Sequence, residues 1–181
     1  MEVAMPDTKN HLNANHIWGL TRIGLGFIFL WAFVDKMFGL GFATCRDELN
    51  TVAVGCESAV VGGGSPTEGF LSFATKGPLA DFYQTLAGNP VVDFLFMAGL
   101  LGIGVALIFG IAMRIAVFSG VLMMLMMWSA VLPAENNPLI DDHIIYALVL
   151  TGLLAVNSEQ KFGFGQRWGQ TKLVQSMPFL K

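Results

Sequence analysis

The sequence predicts an all-α integral membrane protein. Its expected fold is a four-helix bundle with both termini cytoplasmic and short amphipathic helices in a long first outer loop. Three observations point there. Hydrophobic residues make up 54% of the 181 positions and charged residues only 13%, too apolar a balance for a water-soluble domain. Four apolar segments approach the roughly 20 residues that a helix needs to cross a hydrocarbon core. Lys and Arg outside those segments gather on one side. A net charge of −3 argues against a basic nucleic-acid binder, and two Cys exclude a disulfide-dense scaffold.

The expected spans are 17–43, 91–113, 115–132 and 141–157, between a cytoplasmic segment 1–16 and a cytoplasmic basic tail 158–181. The first segment is twice the length of a signal's apolar region, and little positive charge precedes it, so a retained helix is expected. Arg114 in the short second connection, with Lys161, Arg167, Lys172 and Lys181 in the tail, places those sides in the cytoplasm. Loops 45–90 and 133–142 then face outward. Cys45 and Cys56 both fall in the first outer loop, where a disulfide persists, and they are expected to be bonded.

That loop carries its own helix signals. After Gly62-Gly63-Gly64, the run Ser65-Pro66-Thr67-Glu68 offers a capping hydroxyl, a proline at the first helical position and an acid at the third. Phe70, Leu71, Phe73 and Ala74, then Leu79, Phe82, Tyr83 and Leu86, give two short apolar faces for the outer membrane surface. Asn89-Pro90 through Asp93 and Asn137-Pro138 through Asp141 open the second and fourth spans alike. Duplicated hairpins and two independent helix starts both fit this echo.

Small residues allow close helix contact in lipid. Ala98, Gly102, Ala106 and Gly110 form one such stripe, and Ala147, Thr151 and Ala155 another. Charges within a span are costly and turn toward the bundle interior or a wet cavity. Arg22 stands near the inner end, within reach of cytoplasmic headgroups by snorkelling. Asp35 and Lys36 lie about two turns inside the outer end, pointing roughly 100° apart, so each needs a separate partner. Candidates at the outer ends are Asp93, Glu135, Asp141, Asp142 and His143, with Trp31 and Trp128 at similar depth. A polar ligand pocket roofed by the first loop and an ion-paired network that fixes register both fit this cluster. His143, beside two carboxylates, suits proton transfer as well as a plain helix-end hydrogen bond. His11 and His16 lie at the opposite side, and no spacing of His or Cys suggests haem or a metal. The run Met123–Met127 serves adaptable packing or the wall of an apolar ligand site.

Three stretches carry a family resemblance. The first-span segment Gly24 to Lys36, the loop segment Gly63 to Leu71, and Asn136-Asn137-Pro138 with Asp142-His143 resemble the DoxX/DoxD family of small membrane proteins over about 17–157. The resemblance implies a multi-pass protein of a prokaryotic-type cell membrane. For the DoxD branch it implies the membrane subunit of a thiosulfate:quinone oxidoreductase, with a separate partner subunit or a homo-oligomer. Carried onto this chain, Asp35, Lys36, Asp142 and His143 are the candidate catalytic residues. Lys36 and Arg46 would attract an anion, and Trp31 and Trp128, with Lys36, would hold a quinone ring. The alternative is a non-catalytic scaffold or accessory subunit of a larger membrane complex.

Overall fold

The computed structural model describes residues 14–47, 49–156 and 161–180. His11 and most of the expected N-terminal segment, the Asn157 end of the fourth span, residues 158–160 and Lys181 lie outside the described residues. The described chain is helical. Helix α1 runs Ala14–Phe38, a short α2 Ala80–Gln84, α3 Pro90–Phe109, α4 Met113–Ala130 and α5 Asp142–Ala155. The tail adds α6 Gly165–Gly169 and α7 Lys172–Ser176. By length and composition α1, α3 and α4 each suffice to cross a membrane, and α5 is a shorter apolar helix.

Local chemistry sets the ends. Asn89 caps α3 by accepting from Val91 N at 2.9 Å, and Pro90 follows at the first helical position, where its missing N–H costs nothing. The helix stops at Phe109 because Gly110 and Ala112 both adopt left-handed backbone, reversing the chain into α4 within three residues. The second span therefore ends short of 113. Helix α1 likewise ends at Phe38, before the expected 43, at Gly39 with φ +66°.

The four long helices alternate in direction. Helix α1 packs along α3 and α4 along α5, while α3–α4 and α1–α5 contacts close the set around Phe29, Leu100, Ile103, Leu107, Leu150 and Leu153. Two ends can be distinguished. The loop end holds Phe38, Pro90, Ala130 and Asp142, and the tail end holds Ala14, Phe109, Met113 and Ala155.

Glycines set the closest approach, though not the predicted ones. A Cβ on Gly26 would lie 2.9 Å from Ile108 N, and one on Gly104 would lie 2.8 Å from Leu30 N. Helices α1 and α3 thus touch backbone to backbone at two levels. Gly102 meets nothing within 4 Å, and Ala98, Thr151 and Ala155 are also exposed. Of the two predicted stripes only Ala106, Gly110 and Ala147 are buried. Gly120, packed on Leu150, supplies the close contact between α4 and α5.

Arg22 does not snorkel. It is 0% exposed, and its guanidinium donates to Leu107 O, to Ile108 O at 3.0 Å and to Lys161 O at 2.9 Å. The last carbonyls of a helix have no partner within it, so a cation at the end of α3 satisfies them and complements the helix dipole. The third bond holds the tail. Phe164 N donates to Phe109 O at 2.8 Å, Arg114 donates to Pro178 O at 3.1 Å, and Trp168 Nε1 donates to Leu180 O at 2.7 Å. The tail is therefore a folded layer across the tail end of the bundle.

Two substitutions on one helix separate these surfaces. Gly104→Leu is expected to lower stability by about 2 kcal/mol or more through overpacking against Leu30, whereas Gly102→Leu stays within about 0.5 kcal/mol. Thermal denaturation of the detergent-solubilised variants measures both; equal losses would refute the assignment of the α1–α3 contact.

Candidate functional site

The site is built on the chain that leaves α1. Asp35 is 1% exposed, and its carboxylate accepts from Phe42 N at 3.1 Å and Ala43 N at 2.8 Å. Charged acceptors of backbone N–H groups make strong bonds, so the chain folds back over the helix end. The tight return requires glycine at Gly39 and Gly41, both at positive φ, where a side chain would run into Cys45 and Val52. The expected disulfide is present, Cys45 to Cys56. It closes a small hairpin with an antiparallel bridge between Arg46 and Val52.

Beyond the hairpin the chain crosses the loop end. Ser65 Oγ accepts from Glu68 N at 3.1 Å, the expected capping contact, and Ser65 and Thr67 both donate to Asp93 on α3. The first predicted loop helix is a single wide turn, Phe70–Ala74, with α-helical backbone only at Glu68 and Gly69 before it. Such π turns recur at functional sites. The second predicted helix is a 3₁₀ turn at Gly77–Leu79 leading into α2.

The wide turn separates two cavities. One, of about 330 Å³, is walled by Val92, Leu95 and Phe96 of α3 and by Met123, Met126 and Met127 of α4. Phe70, Leu71, Tyr83 and Leu86 roof it, and Lys36 enters from α1. Its size lies in the range of small-molecule sites, about 300–1,000 Å³. Among the described residues the Lys36 ammonium has no ion pair, and the Phe96 ring lies with its centroid 5.9 Å away. Polar neighbours are already engaged: Tyr83 OH with Ser129 Oγ at 2.6 Å, Thr67 with Asp93. Leu95 is 62% and Met126 47% exposed, so the same residues line the cavity and the outer surface of the helices.

The second cavity, of about 640 Å³, lies on the other side of the wide turn. Phe73, Lys76, Glu135, Asp141, Asp142 and His143 are among its lining residues. His143 Nδ1 and Asp141 Oδ2 are 2.7 Å apart. Asp141, just before α5, also accepts from His143 N and Ile144 N as its N-cap. Burial opposes its ionisation, but the imidazole and the two backbone donors outweigh burial and hold its carboxyl below the usual carboxylate range. The arrangement is a carboxylate-oriented imidazole in an acidic cleft.

The predicted cluster is thus divided. Lys36 lines the apolar cavity, Asp142 and His143 line the acidic cleft, and Asp35 is committed to the backbone of the chain return. Trp31 packs on Phe27 and Phe42, with ring centroids 5.9 Å and 5.1 Å away, and lines neither cavity. Trp128 donates to Leu139 O at 2.8 Å and lines neither. Arg46 is exposed on the hairpin over the Phe42 ring. Phe96, Tyr83 and Leu86 were not among the predicted site residues. The methionine run signalled this wall, since three of its members line the cavity.

The cap on α5 gives a pH dependence. A carboxyl with a lowered folded-state pKa stabilises fully above its unfolded value, near 4, and that contribution disappears as pH falls through the folded value. Asp141→Ala is expected to cost about 1 kcal/mol near neutral pH. The difference from the parent should shrink on acidification. Denaturation of both proteins across that range measures it; a constant difference would refute the ionised cap.

Comparison with family models, with curated proteins and with solved structures gives no match.

Proposed function

We propose that this chain spans a membrane with α1, α3, α4 and α5, with the tail end cytoplasmic, and binds a quinone in the apolar cavity at its loop end. In this reading it is the membrane subunit of an oxidoreductase that passes electrons to the quinone pool. The observation that carries the reading is Lys36: an ammonium without an ion pair among the described residues, on the wall of a cavity otherwise almost wholly apolar. A ligand that fits is a flat apolar body with an acceptor oxygen at one end. Leu95 and Met126 border both cavity and helix surface, which supports entry of such a ligand from the bilayer.

A bound quinone would supply a two-electron, two-proton acceptor. The protein's own contributions are separate. Lys36 donates a hydrogen bond to a ring carbonyl, the Met side chains adapt to the ring, and the loop turns 66–71 exclude water from one side. Electrons come from a partner subunit that oxidises a small sulfur compound such as thiosulfate, as the DoxX/DoxD resemblance implies. Leu49, Val54, Phe73 and Phe82 are exposed on the loop side and favour a protein contact there. The same residues support the second reading, a non-catalytic accessory subunit of a larger complex.

Binding of a decyl-substituted benzoquinone to the purified protein tests the proposal. Losing a hydrogen bond from a charged donor costs about 1.5–3 kcal/mol, so Lys36→Met should weaken binding about tenfold or more. His143→Ala, in the other cleft, should leave binding unchanged. Quinone affinity unaltered in Lys36→Met would overturn the site, and absence of binding by the parent protein would favour the accessory reading.

A further inference from the structure

The described carboxylates gather at the loop end, beside the cations Lys36, Arg46 and Lys76. Every carboxylate of the four long helices, Asp35, Asp93 and Asp142, lies at the loop end. Arg22, Arg114, Lys161, Arg167 and Lys172 lie at the tail end, and residues 161–180 contain no Asp or Glu. Arg22 is consumed by the fold, whereas Arg114, Arg167 and Lys172 are exposed.

The same layer exposes apolar bulk. Phe162 is 58%, Leu173 48% and Phe179 57% exposed, yet Gly165 and Val174 are buried beneath them. Five anchors hold the layer to the helix ends: Arg22 to Lys161 O, Phe164 N to Phe109 O, Arg114 to Pro178 O, and the ring pairs Phe109–Phe164 and His16–Phe162. A fixed layer that presents cations and large apolar side chains together, without a carboxylate, has the composition of an interfacial membrane element. Lysine and arginine near an anionic leaflet each gain favourable energy from its surface potential, and the rings and Leu173 enter the boundary between headgroup and acyl chain.

We infer that residues 161–180, with Arg114, form a collar that lies on anionic phospholipid headgroups at the tail end. The inference rests on the transmembrane reading of α1, α3 and α4, and independently of any quinone it assigns a lipid class to this surface. Electrostatic attraction makes the contact salt-sensitive.

The test is amide hydrogen exchange of the full chain in phosphatidylcholine nanodiscs with and without phosphatidylglycerol. Segment 161–180 should exchange about tenfold more slowly with the anionic lipid, given three or four cations at the surface. The double variant Arg167→Gln/Lys172→Gln alters exposed side chains only and should abolish most of that difference. Equal exchange in both lipids, or an unchanged difference in the double variant, would overturn the collar while protected α1, α3 and α4 leave the membrane reading standing. Equal slowing by inorganic phosphate in phosphatidylcholine discs would assign the surface to free anions and overturn it too. Unprotected α1, α3 and α4 in both discs would remove the transmembrane reading and the collar with it.

Discussion

The fold depends on how the buried Arg22 guanidinium is satisfied. A charge without water is tolerated only when its donors find acceptors, and here they find the carbonyls of Leu107, Ile108 and Lys161. One side chain thereby joins the start of α1, the end of α3 and the start of the tail. Those carbonyls are the groups that a helix terminus leaves open, so helix end and cation resolve each other's deficit. The backbone contact at Gly26 and Gly104 then continues from the same end, because Arg22 and Gly26 are one turn apart on α1.

Asp35 repeats this device at the other end with the opposite sign. It lies 13 residues from Arg22, about 20 Å along the axis, and its partners are backbone N–H groups of the chain return. Helix α1 is therefore fixed at both ends by charges that answer to backbone. Lys36 follows from this arrangement. With Asp35 turned toward residues 42–43, the neighbouring side chain points about 100° away, toward α3 and the apolar cavity. The adjacent carboxylate moderates the cost of the ammonium, while its oxygens are already occupied by N–H donors.

Elements specified by neighbouring residues were legible in the sequence. Apolar length revealed α1, α3 and α4, Asn89-Pro90 marked the start of α3, and two cysteines in one loop sufficed for the disulfide. Contacts that depend on helix rotation were not. Gly102 and Gly104 are two residues apart, hence about 160° apart around the axis, and an all-round apolar helix gives no sign of which side meets a neighbour. The partners of Arg22 are 85, 86 and 139 residues away and are backbone atoms, which no residue pattern announces. The tail read as a cytoplasmic basic segment from its charges, although Phe164, which pairs with Phe109, and Trp168, which donates to Leu180 O, were the signal for packing.

The division of the predicted cluster has a chemical logic. Lys36 enters a cavity with an almost wholly apolar lining, whereas His143 lies in a cleft lined by Lys76, Glu135, Asp141 and Asp142. One cavity cannot offer both environments. The wide turn Phe70–Ala74 provides the boundary, since Phe70 and Leu71 face one space and Phe73 and Ala74 line the other. It is held from both directions, by Thr67 on Asp93 before it and by Lys76 N on Ala130 O after it. A partition anchored to α3 and α4 sets Lys36 and His143 in different cavities while both remain at the same end of the bundle.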